Sequence, residues 1–317
     1  MKMVFALLFL AGSAFAEPYI GADGPTYKTV LKKDRTPLAT GLIIPEGWSE
    51  RKIVNPLPKL RGELPKKFTW QDKATPIKNQ GNCGSCWAFS AQATIADVMA
   101  LHGKGSLDLS EQFMVACDKE SSGCSGGWYH SAFDLVKRAG NVIEKDYPYK
   151  AANSSCPSQL PKIQKIVAFK ELSTGVAHPD TIKQAIYTYG PVSVAVSASG
   201  DFMNYSSGIY NSGASGGQIN HAVNIVGWDD TVKPGHWIMR NSWGTGWGEK
   251  GYMRIAYGAK SIGYAASYVD FAGPVPHDNP APTPTPDPSP TPKPDPTPSP
   301  CPDCPECTFW QAFKNLF

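Results

Sequence analysis

The spacing of apolar residues indicates helices in the first half of the folded region. Residues Ala88 to Leu101 are rich in Ala, Met and Leu, contain no Pro or Gly, and are followed closely by Gly103. Residues Trp128 to Ala139 and Thr181 to Tyr189 show a similar pattern, and Asp180 is a candidate N-cap for the latter. Uninterrupted periodic segments that stop at glycine are typical of helices. The pattern therefore predicts three helices.

After Gly190 the pattern changes to short apolar runs bounded by turn-forming residues, which are typical of strands. The predicted strands are Pro191–Val196, Ala222–Val226, His236–Met239 and Gly251–Ile255. Helices that precede strands in this segregated way favour an α+β architecture. We expect two subdomains, one helical and one mostly strand, with a cleft between them.

Three further segments lie outside the folded domain, which we assign to residues 62–273. Residues 17–61 contain scattered Pro and Gly, no Cys, and one short strand-like run at 41–44, so we expect an extended segment lying on the folded domain. Residues 274–300 form a Pro-rich linker. Because Pro occupies every second position from 280 to 302, we expect a polyproline II spacer of roughly 70 Å. Residues 301–317 form a tail with Cys and aromatic residues, and we name no partner for it.

The start of the chain resembles a secretory signal peptide. Lys2 precedes the apolar run Val4–Ala11, and Ala14 and Ala16 provide small residues two positions apart. We expect cleavage after Ala16, which assigns residues 1–16 to the signal. The alternative is a membrane anchor, but the run is too short to span a bilayer. Secretion would place the eight cysteines in an oxidising compartment, where disulfides are the default.

Composition and charge exclude some classes of partner. The formal net charge is only +3 and no dense run of Lys and Arg is present, so we expect no nucleic-acid partner. Proline is enriched at 29 residues, but 15 of these lie between 274 and 305, so the excess belongs to the linker region.

The segment Lys78–Ser90 contains two cysteines at CxxC spacing, Cys83 and Cys86. Such a pair can be a redox centre, half of a zinc site, or one disulfide-bonded cysteine beside one nucleophile. We see no thioredoxin-like context, and a zinc site is uncommon in a secreted domain with other cysteines available for disulfides. Cys86 lies at the start of the first predicted helix, where the helix dipole favours the thiolate. We therefore favour the third interpretation, in which Cys83 forms a disulfide and Cys86 is a nucleophile.

A nucleophilic cysteine needs a general base and a site for the oxyanion. The side-chain amide of Gln80 can donate to an oxyanion together with the backbone N–H of Cys86. His221 begins a predicted strand and is the candidate base. Asn241 ends another strand and can orient the imidazole by accepting a hydrogen bond from its second nitrogen.

These motifs resemble those of the papain family of cysteine peptidases. Cys83-Gly-Ser-Cys86-Trp matches the family signature, and His221 and Asn241 follow at the family's spacing. The resemblance also covers Gly123–Gly127 and Asn241–Gly248, and it extends from about Leu64 to Tyr268. It implies the papain-like fold, with a helical left subdomain and a barrel-like right subdomain.

The resemblance also implies roles for individual residues. Cys86 would be the nucleophile, His221 the base and acid, Asn241 its orienting partner, and Gln80 an oxyanion donor. The residues expected to bind or line the substrate site are Gly126, Gly127, Trp128, Tyr129, Ala222 and Trp243, with Ala265 or Ala266 at the floor of the pocket. The implied disulfides are Cys83–Cys124 and Cys117–Cys156. No metal or other cofactor is implied.

We therefore interpret the chain as a secreted or lysosomal endopeptidase that acts on protein or peptide substrates and prefers an apolar or aromatic residue at P2. No insertion of the kind found in exopeptidase branches of the family lies between Gln80 and Cys86 or between Cys117 and Cys156. Residues 17–61 would be an inhibitory propeptide whose inhibition is relieved by acid, with processing near Lys59 and Arg61. The rival interpretations are a catalytically silent binding homologue and a disulfide oxidoreductase that uses Cys83 and Cys86. Asn153 and Asn204 lie in glycosylation sequons, which also occur by chance.

Overall fold

The computed structural model describes residues 29–32, 38–53, 57, 63–212 and 217–277. The predicted signal peptide, the linker beyond residue 277, the tail, and Lys59 and Arg61 lie outside these residues. The helices in the described residues are α1 Cys86–Met99, α2 Glu111–Cys117, α3 Tyr129–Ala139 and α4 Pro179–Tyr189. The strands are β1 Val30–Leu31, β2 Lys67–Thr69, β3 Ala168–Glu171, β4 Val192–Val196, β5 Tyr205–Ser207, β6 Ile209–Tyr210, β7 His221–Asp229, β8 His236–Arg240, β9 Tyr252–Ala256 and β10 Tyr264–Asp270.

One large sheet forms the second half of the domain. Its strand order is β3-β10-β4-β7-β8-β9-β6, and β2 also pairs with β7. The long strand β7 is antiparallel to both β4 and β8. Because β7 begins where β8 ends, the first residue of β7 and the residue after β8 lie at the same edge of the sheet. His221 and Asn241 occupy these two positions.

The predicted elements are present, with shifted boundaries. Helix α1 begins at Cys86 and is then buried at nearly every position, including its polar residues. Helix α4 begins at Pro179, and the side chain of His178 accepts from the backbone N–H of Asp180. The prediction that Asp180 is the N-cap was therefore wrong: the chain is already helical one residue earlier.

The described residues form two apolar cores, and Cys86 belongs to the second. The first packs α4 against the sheet, and the second joins α1, α2 and α3 with one face of β10. Between them, the amide of Asn224 on β7 donates to the Ser90 carbonyl at 2.9 Å and to the Thr94 hydroxyl at 2.7 Å. The expected α+β fold with two subdomains is confirmed.

A buried ion pair also connects the two subdomains. The Asp97 carboxylate, on α1, accepts from the Arg240 guanidinium at 2.8 Å, and both side chains are almost fully buried. The same guanidinium donates to the Thr75 hydroxyl at 3.1 Å and to the Pro76 carbonyl at 2.8 Å. Arg240 precedes Asn241, so this network links the helix that carries Cys86 to the strand that leads into Asn241.

Candidate active site

Cys86 is the first residue of α1 and is a free, fully buried thiol. The loop before it is closed by the Cys83–Cys124 disulfide, and the second disulfide joins Cys117 to Cys156. Both implied disulfides are therefore present. Because Cys83 is bonded to Cys124 and not to Cys86, the structure argues against the rival interpretation of Cys83 and Cys86 as a redox pair.

Gln80 connects the Cys86 loop to the sheet. One side-chain N–H donates to the Cys83 carbonyl at 2.9 Å, while the side-chain oxygen accepts from the Ser242 hydroxyl at 2.7 Å. The Gln80 backbone N–H also donates to the Ser242 carbonyl at 2.9 Å. The amide has a second N–H, so Gln80 retains a donor for the active site. Ser242 was not identified from the sequence, because only the fold brings it to Gln80.

His221 and Asn241 form the expected hydrogen bond, with 2.8 Å between His221 Nε2 and Asn241 Oδ1. Asn241 Oδ1 also accepts from the Ser242 backbone N–H at 2.8 Å, which identifies it as the oxygen. Nε2 therefore carries the proton, and Nδ1 has a free lone pair. Nδ1 is buried and has no hydrogen-bond partner among the described residues. The Trp243 ring stacks on the imidazole at 4.5 Å between ring centres.

Burial keeps both reactive groups neutral in this structure. It raises the pKa of the Cys86 thiol to about 12, although hydrogen bonds from the backbone of Ala222 and Trp87 act in the opposite direction. Burial also lowers the pKa of His221 to about 4, against the effect of its bond to Asn241. The helix dipole at Cys86 favours the thiolate, but in this closed state burial disfavours the charged forms of both Cys86 and His221.

The side chains are buried because residues 38–53, here called the covering segment, lie across the site. The backbone N–H groups of Gly41 and Leu42 donate to the Asn220 carbonyl at 3.1 and 3.0 Å. On the other side, Gly127 donates to the Gly41 carbonyl at 2.9 Å and accepts from Ile43 at 2.9 Å. The expected extended conformation is present for residues 38–45, whereas Trp48–Glu50 form a short 3-10 helix. The strand-like run at 41–44 forms only an isolated bridge from Leu42 to Gly127, so the prediction of a strand there was wrong.

The covering segment passes close to both walls of the site. The Trp243 indole N–H donates to the Ala39 carbonyl at 2.8 Å. Gly41 has a φ of +141°, and a Cβ there would lie 2.0 Å from the Gly84 carbonyl oxygen. A Cβ on Gly126 would meet Ile43 at 2.7 Å. Glycine is therefore required where the segment and the loops meet, and Gly126 and Gly127 present backbone to an extended chain as the resemblance implied.

The residues expected to form a specificity pocket are all buried. Trp128 and Tyr129 stack at 4.6 Å, and the Tyr129 hydroxyl donates to the Ala265 carbonyl at 2.7 Å. Trp128, Tyr129, Ala222 and Ala265 belong to the core that contains Cys86. Ala266 belongs to the other core, because successive residues of a strand face opposite sides. Of the two candidates for the pocket floor, the structure favours Ala265.

A cavity in the described residues lies between the start of α1, the loop before it and the ends of β7 and β8. It has a volume of about 380 Å³ and is lined in part by Asn224, Asn241 and Ser242. At its edge the Lys78 ammonium lies 2.8 Å from the Glu111 carboxylate. No group of His, Cys, Asp or Glu in the described ranges is arranged to hold a metal ion. Among those same residues no helix is long and apolar enough to cross a membrane.

Comparison with known proteins shows a consistent similarity. The model of the papain family cysteine proteases matches residues 64–270. A viral cathepsin of Epiphyas postvittana nucleopolyhedrovirus is 37% identical over 238 residues, which cover 74% of this chain and 72% of the relative. The structure of a digestive procathepsin L2 proteinase from the larval midgut of Tenebrio molitor superposes with a TM-score of 0.69 at 31% identity, covering 77% and 84% of the two chains. Bromelain protease from Ananas comosus, solved in complex with the E64 inhibitor, gives a TM-score of 0.61 at 33% identity, covering 65% and 99%.

Proposed function

Because the chain belongs to the papain family of cysteine proteases, we propose that it is a secreted or lysosomal endopeptidase made as an inactive precursor. The observation that carries this proposal is the arrangement at the cleft: a free Cys86 thiol at a helix start, beside a His221–Asn241 pair, beneath a covering segment. The chemistry needs each of these groups in a different role.

In the open enzyme, the Cys86 sulfur attacks the carbonyl carbon of the scissile peptide bond. The Gln80 amide and the Cys86 backbone N–H stabilise the oxyanion that forms. The protonated His221 gives its Nδ1 proton to the leaving amine as the C–N bond breaks, which leaves a thioester. Water then attacks the thioester while His221 takes a proton from it, and the thiolate departs. Asn241 holds the imidazole in the required orientation.

We propose that residues 17–61 act as the inhibitory propeptide. The support is that the described part of this segment uses the backbone of Gly127 and the Trp243 indole, which an extended substrate would also contact. Procathepsins are among the similar solved structures. N-terminal sequencing of the active form should give a start between Leu60 and Phe68. A start near Glu17 with full activity would contradict this role.

We propose a preference for an apolar or aromatic residue at P2. Leu42, which pairs with Gly127, is buried in the core that contains Trp128, Ala222 and Ala265, whereas the next residue, Ile43, is 48% exposed. A leucine side chain therefore already fits where the chain bonds to Gly127. An unpaired basic side chain in this apolar surrounding would be costly to desolvate.

Endopeptidase action, secretion and the roles of the outer segments are part of the same proposal. We infer endopeptidase action because Gln80 to Cys86 is contiguous and Cys117 to Cys156 has no blocking insertion. Glycosylation at Asn153 and Asn204 stays a prediction. The natural substrate is a protein or peptide of unspecified identity.

The decisive experiment measures peptide hydrolysis by the processed chain together with covalent labelling by an epoxysuccinyl inhibitor. We expect labelling at Cys86 and turnover of internally quenched peptides, with both lost in Cys86→Ala. Substrates that differ only at P2 should be cleaved faster with Phe or Leu than with Arg. Full activity in Cys86→Ala would refute the mechanism. Faster cleavage of the substrate with Arg at P2 than of those with Phe or Leu would refute the proposed apolar pocket. A folded chain that neither labels nor hydrolyses would support the silent homologue.

A further inference from the structure

The covering segment is also attached to the domain at a second point, Trp48, which is separate from its contacts with Gly127 and Trp243. Trp48 is almost fully buried, and its indole N–H donates to the Thr174 carbonyl at 2.9 Å. Its ring lies 5.0 Å from the Trp128 ring and 4.9 Å from the His130 imidazole. We call the surface formed by Trp128, His130, Glu171 and Thr174 the Trp48 seat. The seat contains a histidine for which the proposed catalytic mechanism has no use.

The hydrogen bonds around His130 require a neutral imidazole. The Trp128 indole is a donor only, and it donates to His130 Nδ1 at 2.9 Å, so Nδ1 carries no proton. His130 Nε2 lies 2.6 Å from the Ser267 hydroxyl, which gives its own proton to the Ala265 carbonyl at 3.1 Å. Nε2 must therefore be the donor. A second proton on the ring would displace the bond from Trp128, which forms a wall of both the seat and the proposed pocket.

The charges that face His130 come from two elements. The Glu171 carboxylate, on β3, lies 3.5 Å from Nδ1 and accepts from the Arg51 guanidinium of the covering segment at 2.9 Å. That guanidinium lies 4.8 Å from the centre of the Trp48 ring. From β10 His130 contacts the neutral Ser267, and the adjacent residue of its own helix, Tyr129, is a neutral phenol whose pKa is raised. A protonated His130 would compete with Arg51 for Glu171 and would repel Arg51.

We propose that His130 makes the Trp48 seat sensitive to pH, so that protonation of its imidazole favours release of the covering segment. This inference rests on the proposed role of that segment as an inhibitor, and it identifies the group that acid would act on. It concerns a positioning residue, since His130 acts through Trp128 and Glu171 and not on the substrate.

The catalytic pair cannot supply the same pH dependence near neutrality. When the cleft opens, a neutral thiol and a neutral imidazole would become a thiolate and an imidazolium, and the total number of bound protons stays the same. Opening therefore takes up no proton at Cys86 and His221 together in this pH range. A group outside the pair has to bind the proton if acid is to favour opening.

The sign of the effect at His130 follows from its surroundings. Burial, and then the positive charge of Arg51, lower the pKa of His130 well below its usual value in the covered state. Both influences weaken when Trp48 and Arg51 leave, so the pKa rises in the released state. Below about pH 6.5 the released state binds one more proton, and the opening equilibrium should increase by up to about tenfold per pH unit.

The test measures opening in the full, unprocessed chain. The initial rate of Cys86 labelling by an epoxysuccinyl inhibitor is followed from pH 7.5 to 4.5 and divided by the rate for the processed enzyme at the same pH. This ratio reports the open fraction. His130→Gln keeps a hydrogen-bond acceptor but does not titrate. Its ratio should therefore rise less steeply as the pH falls, and the slope should differ from that of the wild type by up to about tenfold per pH unit. His178→Gln, at an exposed histidine, is the matched control and should follow the wild type.

Parallel pH dependences in the wild type and His130→Gln would overturn the proposal. Equal labelling of unprocessed and processed chains at every pH would instead overturn the inhibitory role of the segment, and this inference with it. A second measurement avoids any change at His130: histidine NMR of the full Cys86→Ala chain, with and without Trp48→Ala. The pKa of His130 should rise when Trp48 is removed, and an unchanged pKa would also overturn the proposal.

Discussion

The two walls of the cleft are held in place by different means. The helical wall carries Cys86, and both disulfides of the described residues lie on its side. The Cys83–Cys124 disulfide joins residues 41 positions apart, and the Cys117–Cys156 disulfide joins residues 39 positions apart. The sheet wall carries His221 and Asn241, and the sequence from 157 to 300 contains no cysteine. There the two proposed catalytic positions are aligned by the antiparallel pairing of β7 with β8. Covalent loops thus support the proposed nucleophile, while strand register positions the proposed base.

This difference shows why contacts between the walls matter. Neither the disulfides nor the strand pairing sets the distance from Cys86 to His221. That distance depends on the groups that join α1 to the sheet, above all the buried Asp97–Arg240 pair and the Gln80–Ser242 bonds. The following predictions test each means of support separately.

The largest effect should come from the sheet wall itself. His221→Ala removes the base and acid and should lower kcat/KM by about 10⁴-fold or more, as losses of catalytic-triad members do in other enzymes. Asn241→Ala leaves the imidazole stacked on Trp243, so this variant should retain measurable activity. Its kcat/KM should be at least about tenfold higher than that of His221→Ala. Steady-state hydrolysis by processed variants checks both values. Equal losses would mean that Asn241 does more than orient the ring.

Breaking the link between the walls should cost the most stability. Asp97→Ala leaves the Arg240 guanidinium buried without its carboxylate, which typically costs about 3–5 kcal/mol. Urea unfolding of the full chain in a Cys86→Ala background measures this loss. Asp134→Ala removes an exposed pair with Arg138 on α3 and should cost less than about 1 kcal/mol. If the two variants were equally stable, the buried pair would not be what joins the walls.

The helical wall should lose stability when its covalent loops are opened. The double variant Cys117→Ser/Cys156→Ser should reduce the free energy of unfolding by about 2–4 kcal/mol, because the unfolded chain is no longer restrained. This disulfide includes no residue of the Cys86 loop, so kcat/KM of the folded fraction should fall less than when the Cys83–Cys124 disulfide is opened. Opening Cys83–Cys124 in the same way should lower activity as well as stability. An activity loss confined to the Cys117 variant would contradict the assignment of distinct roles.

The smallest effect should appear where the covering segment touches both walls. Gly41→Ala places a Cβ against the Gly84 carbonyl and forces an unfavourable φ, which alone costs about 1–3 kcal/mol. The segment should then inhibit about tenfold less well, seen as faster Cys86 labelling of the unprocessed chain at neutral pH. Gly47→Ala is the control, because it also has a positive φ but meets no atom within 4 Å. Equal labelling rates in both variants would show that backbone strain, and not the close approach to Gly84, weakens the inhibition.

Much of the fold could be predicted because its signals are local. The helix that begins at Cys86 contains no Pro or Gly, and the strand that begins at His221 is mostly apolar, so both have a clear local pattern. Strand β10 was not predicted, although it lies between β3 and β4 in the sheet. Its Ala and Ser residues are a weak local signal, and only its long-range partners stabilise it. Helix α2 was missed in spite of its Ser110 cap.

The sequence by itself determined which chemical groups are available and in what order: a thiol at a helix start, an imidazole and an amide at strand ends, and paired cysteines around them. These groups belong to short sequence motifs, which can be recognised without knowledge of the fold. Only the tertiary structure decided their protonation, the choice of Ala265 over Ala266, and the placing of Trp48 over His130. These depend on burial by residues far apart in the chain, because desolvation and hydrogen bonding are properties of the packed surroundings and not of the local sequence.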